Sequence, residues 1–104
     1  MQQEFDIKEL IPVGSGNAIT RKMLSVITGL DDRTVRDLIH NARRDIPILN
    51  MQDGKGYFIP DMNDEKDRHK LKQYVAQEEN RIKSNGWALK AARTTLRNCG
   101  ELVS

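Results

Sequence analysis

Apolar positions change their period along the chain, and each change predicts an element. In "EFDIKELI", Phe5, Leu10 and Ile11 recur at helical or near-helical spacing until Pro12 stops the pattern. "VGSGN" reads as a loop because its two glycines and Asn17 are turn formers, and Ala18 with Ile19 is expected as a stub of strand. Thr20 can cap a helix over "RKMLSVIT", its hydroxyl accepting from a free backbone N–H. Met23, Leu24 and Ile27 are expected to form the buried face of that helix. Gly29 stands where a helix end favours positive φ. Leu30 then tucks back, and Asp31 or Asp32 caps the next helix.

That next helix is expected over about residues 32–45. At 3.6 residues per turn, Val35, Leu38, Ile39 and Ala42 share one arc. Arg33, Arg36, His40, Arg43 and Arg44 share the opposite arc, flanked by Asp37 and Asn41. Two short β-prone runs follow, "IPILN" and "GYFIP", joined by "MQDGK", whose Asp53-Gly54 pair is a hairpin turn signal. Pro47 suits an edge strand and Pro60 a strand end. Tyr57 and Phe58 alternate, so one is expected in the core and the other partly exposed. From Asn63 no breaker appears before Gly86. "DEKDRHKLKQYVAQEENRIKSN" therefore predicts a helix with acids in its first turn, which "WALKAARTTLRN" continues to about Leu96, with "CGELVS" frayed. The fold class is mainly α with a small β-hairpin (α+β): a domain over residues 1–61 and a helical extension over 62–104.

Composition narrows the function classes. The chain has 104 residues, 31% of them charged, yet a formal net charge of only +2, so any electrostatic role depends on where charges sit. Cys99 is the only cysteine, which excludes an intrachain disulfide and fits a reducing compartment. "MQQEFDIKEL" lacks the pattern of a secretory signal, and no apolar run approaches the ~20 residues that span a bilayer. A cytoplasmic, nucleoid-associated location is the expectation. Cys99, His40 and His69 are too scattered for a metal site, which needs three or four clustered ligands. His69 reads as solvated, and Trp87 as a packing residue of the tail. "GSG" and "GKG" lack the strand-to-helix context of a phosphate loop and read as turns. No carboxylate pair stands in an apolar setting, so neither enzyme activity nor a cofactor is expected.

Two amphipathic helices joined at Gly29 and followed by a hairpin have the order of a winged helix-turn-helix. Residues 19–60, through "GLDDRTVRDLI" and "GKGYFIP", resemble the DNA-binding domain of the biotin repressor. With its "ELIPVGSGNAIT" stretch and helical tail, the whole chain is also similar to small winged-helix proteins of Gram-positive prophages. The resemblance implies that the second helix enters the major groove of double-stranded DNA while the wing follows the backbone. It implies no biotin chemistry. Arg33, Thr34, Arg36, Asp37, His40 and Asn41 lie where such a helix reads base edges. Arg44, Lys55, Arg21 and Lys22 are the expected phosphate contacts. The expected role is a small phage or bacterial transcriptional regulator, the alternative being a protein–protein adaptor without DNA contact. In the tail Val75, Ile82, Leu89 and Leu96 recur in heptads, with Leu71 four residues before Val75, which predicts a homodimer seam interrupted by Glu78 and Asn85.

Overall fold

Residues 6–51 and 54–100 are described by the computed structural model; Phe5, Asp53 and the expected frayed end over 101–104 lie outside them. Helix α1 (Ile7–Leu10) starts at Asp6, whose Oδ1 accepts the Lys8 N–H at 3.1 Å, and it buries Ile7. Ile11, one turn on, is buried too, while Leu10 is only partly covered. A 3₁₀ turn at Ser15–Asn17 follows. The expected strand stub is a single bridge: the Ile19 N–H donates to the Tyr57 carbonyl at 2.9 Å, and the Tyr57 N–H donates back at 2.7 Å.

Helix α2 (Arg21–Thr28) has the predicted ends. Thr20 Oγ1 accepts the Met23 N–H at 3.1 Å, and Gly29, at φ 72°, closes it in the left-handed region. Its buried ridge differs from the expectation. Leu24 and Thr28 point inward, whereas Met23 and Ile27 are each 50% exposed. Thr28 tolerates burial because its hydroxyl donates to the Leu24 carbonyl at 2.7 Å and accepts the Leu30 N–H at 3.2 Å. In a domain this small, one ridge of α2 meets the core.

Helix α3 (Asp32–Ala42) buries Val35, Ile39 and Ala42, with Leu38 at the edge of the same core. It ends at Ala42, short of the expected residue 45, and the chain continues as a turn over residues 43–45, with the Asp45 and Ile46 N–H groups donating to the Ala42 carbonyl. Strands β1 (Leu49–Met51) and β2 (Gly56–Phe58) pair antiparallel, with Leu49 opposite Phe58, Asn50 opposite Tyr57 and Met51 opposite Gly56. Tyr57 and Phe58 are both buried, contrary to the alternation expected of an edge hairpin. Tyr57 joins the core cluster of α1 and α3, and Phe58 is covered on the other face beside its partner Leu49. Gly56, at φ 109°, is required by a close approach: a β-carbon there would collide with the backbone of Ile19 and Thr20.

Helix α4 (Glu65–Asn98) runs unbroken through Gly86. Asp64 Oδ1 accepts the Lys66 N–H at 3.0 Å ahead of its first turn. Asp67, 0% exposed, ties that turn down: its Oδ2 accepts the Ser15 N–H at 3.1 Å and the Asp61 N–H at 2.9 Å. The chain accordingly divides into compact units at Met1–Leu71 and Lys72–Ser104, later than the boundary expected after residue 61, since the first turns of α4 belong to the first unit. In the second unit Val75, Ile82, Leu89 and Leu96 are exposed, and Trp87, expected to pack, is 73% exposed. The architecture is mainly α with a small antiparallel hairpin.

Candidate nucleic-acid interface

The start of α3 is held by Asp31, whose Oδ1 accepts the Thr34 N–H at 2.9 Å. Hydrogen bonds from the Thr34 side chain and N–H hold the Asp31 carboxyl below its ordinary range. Thr34 is thus engaged in the cap. With the apolar ridge of α3 turned to the core, Arg33, Arg36, Asp37, His40, Asn41 and Arg44 are all exposed.

Part of this stripe faces a groove of about 520 Å³. One wall is α3, through Arg33, Arg36, Asp37, Ile39, His40 and Arg43. The other is Asn50 and Tyr57, neighbours across the β-ladder, with Arg21 from the start of α2. Four guanidinium groups and one carboxylate therefore share the lining. Arg43 is the most fixed of them. Its Nε donates to the Ile48 carbonyl at 3.0 Å, and its guanidinium lies 6.0 Å from the centre of the Tyr57 ring. Arg21 is held by Asp32, Nε to Oδ1 at 2.8 Å.

Of the acids near the stripe, Asp37 lies within it and lines the groove, while Asp32 and Asp45 pair with cations outside α3. Asp32 pairs with Arg21, and Asp45 pairs with Lys8 at 3.3 Å. Among the described residues Arg33, Arg36 and Arg44 have no ion-pair partner. A groove with this lining can accept phosphate oxygens and base-edge acceptors, because guanidinium donors match both.

Of the ten expected DNA-contacting residues, Arg21, Arg33, Arg36, Asp37 and His40 come together at the groove. Thr34, Asn41, Arg44 and Lys22 do not line it. Lys55 is exposed in the turn between Gly54, at φ 80°, and Gly56. Arg43, Asn50 and Tyr57 were not expected as site residues. Arg43 was legible, since it lies three residues after His40 on the basic arc; Asn50 and Tyr57 depend on the strand register. Among the described residues no three His, Cys, Asp or Glu side chains cluster to hold a metal, and no helix is long and apolar enough to cross a membrane. No protein-family model, curated protein or solved structure matches this chain.

Proposed function

We propose that the first unit is a winged helix-turn-helix that binds double-stranded DNA sequence-specifically, as a small phage or bacterial transcriptional regulator. The observation that carries this reading is the exposed basic stripe of α3 beside the Asn50–Tyr57 wall, with Asp32 and Asp45 drawn into ion pairs away from Arg33, Arg36 and Arg44. In this reading α3 lies in the major groove, the hairpin follows the backbone, and Arg43 donates to a phosphate from a fixed position. A good bidentate Arg–guanine contact discriminates by roughly 1–3 kcal/mol. Selection of bound duplexes from a random pool is expected to return a motif, and Arg36→Ala to relax it at one position. A motif identical in the wild type and in Arg33→Ala/Arg36→Ala would remove α3 as the reading element.

The chain acts as a homodimer through the heptad row of Val75, Ile82, Leu89 and Leu96, a row that exposes its apolar side chains along α4. Ile82→Glu/Leu89→Glu is expected to abolish dimerisation in light scattering; a full-length chain monomeric at tens of micromolar would exclude it.

One observation favours the second reading, an adaptor that binds protein. Met23, Val26 and Ile27 form an exposed apolar ridge on α2, with Val26 72% exposed. In that reading Val26→Glu abolishes partner binding, and no duplex is enriched.

A further inference from the structure

The second unit has a charge pattern that the first does not. Residues 1–71 carry 11 Lys and Arg against 12 Asp and Glu, while residues 72–104 carry 6 against 3, so the chain's positive charge comes from the second unit. Within it the bias sharpens. Residues 80–98 include Arg81, Lys83, Lys90, Arg93 and Arg97 and no acidic residue, and all of them are exposed on α4.

Lys83, Lys90 and Arg97 repeat every seven residues, and Arg93 sits one turn from both Lys90 and Arg97. These four cations therefore form one row along the helix, spanning ~21 Å at 1.5 Å per residue. Arg81 is paired with Glu78 at 3.3 Å, but the four in the row have no ion-pair partner among the described residues. Like charges at three- and four-residue spacing, Lys90–Arg93 and Arg93–Arg97, repel and weaken a helix. A linear anion laid along the row removes that repulsion.

We propose that Lys83, Lys90, Arg93 and Arg97 form a second nucleic-acid contact surface that binds the phosphate backbone of duplex DNA without reading sequence. A duplex presents one phosphate charge per ~1.7 Å of its axis, so about a dozen pass along the length of the row. A lipid surface fits less well. Ile82, Leu89 and Leu96 form a narrow strip on one side of the row, and Trp87 stands on its other side, one turn from both Lys83 and Lys90. Asn80, Ser84, Thr94 and Asn98 surround the indole, so the apolar residues do not join into one broad face. The surface deepens the duplex-binding reading of α3, but the two are read out separately: α3 by motif, the row by salt.

The test is binding of the full-length chain to a random-sequence duplex over a salt series, against Lys83→Gln/Lys90→Gln/Arg93→Gln/Arg97→Gln. Circular dichroism verifies that both are equally helical. Loss of four phosphate contacts lowers the slope of log K against log salt by ~3.6, with the selected motif unchanged. Lys83→Arg/Lys90→Arg keeps the wild-type slope. An unchanged slope in the glutamine variant overturns the proposal, as does a full-length chain that binds no duplex. Self-association at low salt without DNA, lost in the glutamine variant, also overturns it, because the row would then meet acidic protein surface. Arg33→Gln/Arg36→Gln, run in parallel, reports on α3 alone: if it keeps the wild-type motif and slope, the α3 reading fails and the row stands.

Discussion

The two units of this chain are stabilised in different ways. In the first, Ile7, Leu24, Val35, Ile39, Ile48 and Tyr57 share one core, helix ends are closed by Asp6, Thr20, Gly29 and Asp31, and Asp67 ties α4 to the backbone of Asp61 nearby and of Ser15 far away in sequence. In the second, every residue from 81 to 100 is exposed, and the helix there rests on local hydrogen bonds and propensity. Helices of that kind are marginal in water, since most helical stability in proteins comes from packing an apolar face. The first unit can therefore hold a groove in fixed geometry by itself. The second presents exposed rows instead, the apolar Ile82–Leu89 row proposed to meet a second copy and the Lys83–Arg97 row proposed to meet a polyanion.

This contrast can be broken or sharpened by substitution. The largest effect is expected from Phe58→Ala, at a side chain 1% exposed, which should cost about 4 kcal/mol in urea unfolding. Gly56→Ala comes next at about 3 kcal/mol, because the left-handed backbone and the Ile19–Thr20 approach both oppose a side chain. It should also weaken DNA binding in the folded fraction, since Ile19 pairs with the strand that carries Tyr57.

Asp67→Ala should cost about 2 kcal/mol by leaving the Ser15 and Asp61 N–H groups without an acceptor. Its pH dependence has a definite sign. Burial alone would raise the Asp67 carboxyl, but hydrogen bonds from Ser15 and Asp61 outweigh it and hold the group below its ordinary 3.8. A carboxyl depressed on folding contributes stability above its unfolded value, and that contribution is lost as pH falls through the folded one. The stability gap between wild type and Asp67→Asn should thus be flat from neutral pH down to about 4 and shrink below it. A gap that widens on acidification would contradict this.

In the second unit the effects should be small and opposite in kind. Gly86→Ala should add helicity worth about 1 kcal/mol, seen by circular dichroism, and leave the urea midpoint of the first unit unchanged. Ile82→Ala, at a residue 70% exposed, should shift the stability of dilute protein by less than about 0.5 kcal/mol. If either altered the first unit as strongly as Asp67→Ala, the division after Leu71 would not be a division in stability.

Much of this was readable from neighbouring residues. Thr20, Gly29 and Asp31 act through hydrogen bonds or dihedral angles within a few positions, so their residue types were sufficient to place helix ends. The apolar arc of α3 was legible for the same reason: Val35, Leu38, Ile39 and Ala42 meet by helical period alone. The failures lie where a distant segment decides. Met23 and Ile27 have a plausible inward spacing, yet only the Leu24–Thr28 ridge of α2 reaches the core. Tyr57 is buried because it joins the core cluster of Ile7, Val35 and Ile39, and nothing within the run "GYFIP" announces those neighbours.

The sequence by itself determined element types, the helix caps, the basic arc of α3 and the heptad rows of α4, because those follow from backbone sterics and a fixed helical period. Tertiary structure alone decided that Asn50 stands beside Tyr57 in the wall facing Arg36, that Asp32 and Asp45 turn to Arg21 and Lys8, and that Asp67 belongs to the first unit. Each of these depends on strand register or on groups that are distant in sequence or have several possible partners. A carboxylate's choice among nearby cations is settled only when packing sets the distances between them.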